Sequence, residues 1–315
     1  RTLGAATAHT SVLVGLEANP IAVEVTCSRG PAFFQLVGLA EAAVREARVR
    51  VASALSRLGV LLGEYAITVN LAPADLKKRG AGLDVAIALA LLGALGRLPA
   101  AAFDGVLVLG ELGLDGSLRP VRGVLPQLIG ARARGVRRAI VPAANAREAG
   151  LVADVQVFIA SSLESVVSHL IGQAPLEAAQ PTALVSAAEV PSHLDLRHVR
   201  GQSGAKRALE IAAAGAHNLL MIGPPGGGKT LLPGLLPPLE VDEAIETTAI
   251  HSVAGLVDPA VGVVQCRPFR APHHSVSDAG LVGGGEHPRP GEAASAAGVH
   301  DVASLSRVDP SINFT

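Results

Sequence analysis

The segment Ile21-Ala22-Val23-Glu24-Val25-Thr26-Cys27 alternates apolar and polar positions, which predicts a half-buried strand. Residues 41–58 carry Ala, Arg, Glu and Val at helical spacing, and Gly59 follows as a helix-ending glycine. A second strand is expected at Tyr65-Ala66-Ile67-Thr68-Val69-Asn70-Leu71, stopped by Pro73. Residues 83–95 predict a strongly apolar helix closed by Gly96. Residues 106–112 predict a strand that runs into a turn at Asp115-Gly116, and residues 124–133 a helix. A buried strand at 139–142 and a helix at 163–171 complete the series. Strand and helix patterns that alternate in this way predict an α/β fold.

The pattern then changes. Between Gly172 and Pro191 the chain carries Pro175, Pro181 and Pro191 among Ala, Gln, Ser and Glu, with little periodicity. This composition predicts a linker. The expected organisation is a first domain over 1–172, a linker over 173–192 and a second domain over 193–315. The second domain opens with a predicted helix at 204–214. The apolar strand Asn218-Leu219-Leu220-Met221-Ile222 follows and leads straight into a glycine-rich loop.

That loop, Gly223-Pro224-Pro225-Gly226-Gly227-Gly228-Lys229-Thr230, has the pattern G-x-x-x-x-G-K-T after a buried strand, which is the context a phosphate-binding loop requires. Its glycines let backbone N–H groups turn inward around phosphate oxygens where a Cβ would clash. Lys229 is expected to reach the β- and γ-phosphates of ATP, and Thr230 to give its hydroxyl to the nucleotide's Mg²⁺. Behind the loop, Pro233-Gly234 and Pro237-Pro238 come early, so the helix that supports it is expected to be short.

Composition narrows the setting. Apolar residues make up 49% of the 315 positions and aromatics 2%, so the core is built from Ala, Val and Leu. With 26 basic and 27 acidic residues the net charge is −1, and no global field favours nucleic acid or an anionic membrane. The apolar run from Val85 to Gly96 falls short of the roughly 20 residues a membrane-spanning helix needs. Cys27 and Cys266 are far apart and have no metal-ligand spacing, which fits a reducing, cytoplasmic setting. The chain starts at Arg1 without a signal-peptide pattern, and an incomplete N-terminus is expected.

Several longer motifs carry a family resemblance. They include Leu13-Val14-Gly15-Leu16-Glu17, Val37-Gly38-Leu39-Ala40-Glu41 and Ile67-Thr68-Val69-Asn70-Leu71-Ala72-Pro73-Ala74-Asp75-Leu76. Gly110-Glu111-Leu112-Gly113-Leu114-Asp115-Gly116 and Arg119-Pro120-Val121-Arg122-Gly123 follow. Farther on stand Arg267-Pro268-Phe269-Arg270-Ala271-Pro272-His273-His274 and Leu281-Val282-Gly283-Gly284-Gly285. Up to about Gly291 the chain resembles the magnesium-chelatase-like AAA+ proteins of the YifB/ComM type. This resemblance implies a Lon-protease-like N-terminal domain followed by a P-loop AAA+ domain. It also implies ATP with Mg²⁺ as cofactors, a homo-hexameric ring, and ATP-driven DNA remodelling (branch migration in competence).

The chain departs from that pattern in three places. Lon-type domains carry a Ser nucleophile and a Lys, and the matching positions here fall near Gly82 and at Leu125, neither of which can attack a carbonyl or accept a proton. The segment after Thr230 is about one helical turn shorter than in the family. After Pro290-Gly291-Glu292 no apolar strand closes in Asp-Glu, and Asp301 is not followed by Glu. A truncated or frame-shifted copy with an incomplete AAA+ domain is therefore expected. Three readings stay open: a DNA-remodelling motor, a chelatase-type ATPase, and a remnant or interaction domain that does not hydrolyse ATP.

Weaker candidates have ordinary explanations. Lys77 and Ser117 form a nominal pair of turn residues. His251, Cys266, His273 and His274 could suggest a metal, yet adjacent histidines on a loop rarely bind one ion together. Arg267 and Arg270 are read either as contacts to DNA phosphates or as surface charges. Arg132, Arg134, Arg137 and Arg138 read as a solvated helix end.

Overall fold

The computed structural model describes residues 2–78, 80, 82–184, 199–215, 217, 239–268, 283–284 and 289–290. The chain divides into two compact units, Arg1–Thr182 and Ala183–Thr315.

The first unit is a mixed α/β layer structure. A long hairpin, β1 (Thr2–Val14) and β2 (Glu17–Arg29), precedes β3 (Phe33–Val37) and two short helices, α1 (Ala42–Arg45) and α2 (Ala47–Arg57). Then come β4 (Tyr65–Ala72), α3 (Asp84–Ala94), β5 (Val106–Val108), β6 (Glu111–Leu112) and β7 (Leu118–Arg119). The unit continues with α4 (Val124–Ala133), β8 (Arg138–Pro142), α5 (Ala146–Ala149), β9 (Gln156–Ala160) and α6 (Leu163–Leu170). Seven strands form one sheet in the order β3-β4-β2-β1-β5-β8-β9. Four of its six strand pairs are parallel and two, β1·β2 and β2·β4, are antiparallel.

Burial follows the period of each element. In β2 the inward residues Ile21, Val23, Val25 and Cys27 are buried, and the outward Glu24 and Thr26 are exposed. Helix α3 is apolar all round and packs between β1, β2 and α2, so ten of its eleven residues are buried. Asp84 is the polar member of that set and stands at its first position.

Three expectations shift. The helix expected over 41–58 breaks at Glu46 into α1 and α2. The strand expected over 106–112 ends at Val108. Gly110 donates to the Gly82 carbonyl, and β6 pairs with β7 in a separate ribbon. The proline-rich stretch after α6 begins with an ordered segment: Ala179 donates to the Val157 carbonyl at 2.7 Å and Ile159 to the Glu177 carbonyl at 2.9 Å, alongside β9. Strands β1, β3 and β9 were not visible in the periodicity.

In the second unit α7 (Ser203–Gly215) matches the helix expected at 204–214. Helix α8 (Val241–Ala254) is capped at its start, where the Glu240 N–H donates to the Glu243 carboxylate at 3.1 Å, and ends at the left-handed Gly255. A short antiparallel pair, β10 (Gly283–Gly284) and β11 (Arg289–Pro290), completes the described residues.

Candidate functional site

The loop Gly223, Pro224, Pro225, Gly226, Gly227, Gly228, Lys229 and Thr230 lies outside the described residues, as does the strand expected before it. Its assignment rests on sequence. Arg270, His273, His274 and Asp301 fall outside them as well.

The first unit brings the turn that holds Gly82 against the loop that precedes Leu125. Gly82 lies just before α3, and a Cβ built on it stands 3.6 Å from the Val121 Cγ1. The loop before α4 therefore sits directly against the turn before α3. Two side chains clasp that loop. Asn145 accepts from the Val121 N–H at 3.1 Å and donates to the Val121 carbonyl at 2.9 Å. The buried Glu148 accepts from the Leu125 N–H at 2.7 Å, placing a carboxylate at the N-terminus of α4 where the helix leaves donors unsatisfied. Leu125 itself is fully buried in the core. Neither Gly82 nor the core residue Leu125 carries a side chain able to act as nucleophile or base.

Next to this place stands a buried ion pair. Asp84 accepts from Arg50 Nε at 2.5 Å and Nη2 at 3.0 Å, and from the Leu112 N–H at 3.1 Å. Burial pushes the Asp84 carboxyl above the usual carboxylate range, opposed by its hydrogen bonds from Arg50 and Leu112. The same carboxylate raises the Arg50 guanidinium. This pair ties α2, α3 and β6 together.

The nominal pair Lys77 and Ser117 is not joined. Lys77 is exposed, and the Ser117 hydroxyl donates to Asp115 at 2.6 Å within its own turn. Lys78, not Lys77, is the buried lysine. Its Nζ donates to the Pro73 carbonyl, and desolvation lowers it from the ordinary lysine range against the pull of Asp75.

Arg267 is partly buried against α8 and pairs with the Glu243 carboxylate at 3.0 Å, so its charge is engaged within the unit. His251 is buried in α8 and Cys266 is exposed. In the basic cluster, Arg134 donates to the Ala18 carbonyl at 2.7 Å and Arg138 to the Asp104 carbonyl at 3.1 Å. Among the described residues no helix is long and apolar enough to cross a membrane.

Comparison with known proteins places this architecture. The family model described as magnesium chelatase, subunit ChlI, matches residues 195–302, a span that includes the glycine-rich loop. A second model, subunit ChlI of Mg-chelatase, matches residues 23–145, from β2 into the Asn145 clasp. Together the two matches define a magnesium-chelatase-like class of protein. The chain belongs to this magnesium-chelatase-like family, in its YifB/ComM-type branch. It is 46% identical over 288 residues to the YifB protein of Salmonella typhimurium, covering 90% of this chain and 56% of that protein. It is 45% identical over 287 residues to the competence protein ComM of Haemophilus influenzae, covering 89% and 56% respectively. A weaker likeness, 23% over 128 residues, links 40% of the chain to 23% of Lon protease 2 of Bacillus subtilis. The chain spans about half the length of the YifB and ComM proteins it matches.

Proposed function

We propose that the chain binds Mg-ATP through Gly223 to Thr230 and belongs to an ATP-driven DNA-remodelling machine. A Lon-like first unit then serves as a scaffold, and the second unit is the AAA+ part. The observation that carries this reading is the G-x-x-x-x-G-K-T loop, set inside the span matched by the magnesium-chelatase model. When bound, the nucleotide would supply phosphoryl-transfer chemistry. Lys229 would neutralise phosphate charge and Thr230 would hold the metal.

The role in DNA remodelling draws on the relative named as a competence protein. A homo-hexamer and a cytoplasmic location follow from the same family reading. The first unit acts without peptidase chemistry, because Gly82 and Leu125 offer neither nucleophile nor base. A second reading, nucleotide binding without turnover, is favoured by Pro233-Gly234 close behind the loop. A chelatase-type ATPase has no separate feature in its favour.

ATP turnover measured with and without branched DNA separates these readings. DNA-stimulated turnover, with binding that weakens steeply as salt rises, is the expected result. Nucleotide binding without turnover, and no DNA affinity at low salt, would move the assignment to the second reading.

A further inference from the structure

The Gln173 and Ala174 N–H groups close α6 on the Ser168 carbonyl, and residues 176–182, the last stretch of the first unit, then form a strap with three anchors. Leu176 donates its N–H to His169 Nδ1 at 3.0 Å, in the last turn of α6. Residues 177–179 pair alongside β9, the outer strand of the sheet, through the Glu177 carbonyl and the Ala179 N–H, with Ala178 opposite Phe158. Thr182 then donates its N–H to the Gly150 carbonyl at 2.9 Å and its hydroxyl to the Arg147 carbonyl at 2.5 Å. The seat is shaped for this passage. A Cβ at Gly150 would stand 2.1 Å from the Gln180 carbonyl oxygen, so only glycine lets the strap lie there.

We propose that this strap is a releasable tether between the two units, latched by neutral His169 and freed when that imidazole is protonated. A backbone N–H can only donate, so Nδ1 must carry its lone pair for the first anchor to exist. Protonation turns Nδ1 into a donor, and the two N–H groups then face each other. The ring also leans on Phe158, with centroids 4.5 Å apart, so it cannot turn away without losing that packing. Released, the seven residues from 176 to 182 would add free chain before the second unit, at most about 3.3–3.6 Å for each residue.

The charges around His169 set the direction of the switch. Burial holds the imidazole below its ordinary value, and the positive charge of Arg138 on β8 acts the same way. Glu164 lies more than a turn earlier on α6, Glu177 is exposed on the strap, and β9 carries no charged residue. The C-terminal end of α6 favours a cation and opposes these two effects. The latched state thus takes up its proton at lower pH than the free state. Above about pH 6.5 both are neutral, and below it release gains up to about tenfold for each pH unit until the latched imidazole itself protonates.

Hydrogen exchange on the full chain tests this, with amide protection corrected for intrinsic rates at about pH 7.5 and about pH 5.5. The expected result is that Leu176 and Ala179 lose protection together at the lower pH, by roughly tenfold or less. His169→Gln keeps an acceptor that does not titrate and is expected to be insensitive to pH. Gly150→Ala is expected to loosen the strap at both values. Unchanged protection of Leu176, loss at Leu176 without loss at Ala179, or an unaltered pH response in His169→Gln would each overturn the proposal. Nitrogen chemical shifts of the wild-type imidazole give an independent reading, and a proton on Nδ1 at about pH 7.5 would overturn it as well.

Discussion

Arg50 grips Asp84 through two parallel hydrogen bonds at the point where α2, α3 and β6 meet, with the carboxylate fully buried and the guanidinium nearly so. A buried ion pair adds little over a well-packed apolar substitute, but removing one partner strands the other. Asp84→Ala removes the buried carboxylate that accepts from Arg50 and from the Leu112 N–H, leaving Arg50 the more exposed Glu46 at 3.8 Å, and is expected to lower unfolding stability by about 3 kcal/mol. Urea unfolding of Asp84→Ala, Arg50→Ala and the double variant checks this. The account expects a coupling of at least about 1 kcal/mol, and additive losses would contradict it.

Gly38 is a second fixed point. Its φ of 105° lies in the left-handed region, and a Cβ there would stand 2.3 Å from the Leu71 carbonyl oxygen. Gly38→Ala must therefore distort the chain leaving β3, at a cost of at least about 2 kcal/mol. Thermal unfolding measures the loss, and a neutral substitution would show that the chain turns differently there.

The two cysteines should differ in reactivity. Burial pushes the Cys27 thiol up to about 11, whereas Cys266 is exposed. Only the thiolate is a nucleophile, so at about pH 8 Cys27 remains a protonated, shielded thiol. Iodoacetamide is expected to modify Cys266 within the folded chain and Cys27 only after denaturation. Mass spectrometry of the labelled peptides decides it, and equal labelling of the two would place Cys27 at the surface.

Much of the fold could be read in the sequence where local signals are strong. Helix α3 announces itself by an unbroken apolar run, and α4 follows the left-handed Gly123 and keeps the span its pattern predicted. Strand β1 was hidden because its inward positions include Ala6, Ala8 and Thr10, small residues that give little contrast with Thr7 and His9. Strand β9 is five residues long and depends on pairing with β8. The candidate site was legible unevenly. The glycine-rich loop is a contiguous motif, and its residues name their own chemistry. The positions Gly82 and Leu125 could be found only by resemblance. The clasp of Asn145 and Glu148 joins residues more than twenty apart, a relation that only the folded chain displays.

Mg-ATP affinity of the full chain, measured at equilibrium for the wild type and for Lys229→Ala, tests the central claim most directly. The account predicts saturable, Mg²⁺-dependent binding that weakens at least about tenfold when Lys229 is removed, a change of about 1.4 kcal/mol. Binding of equal strength in both proteins, or none in the wild type, would contradict it.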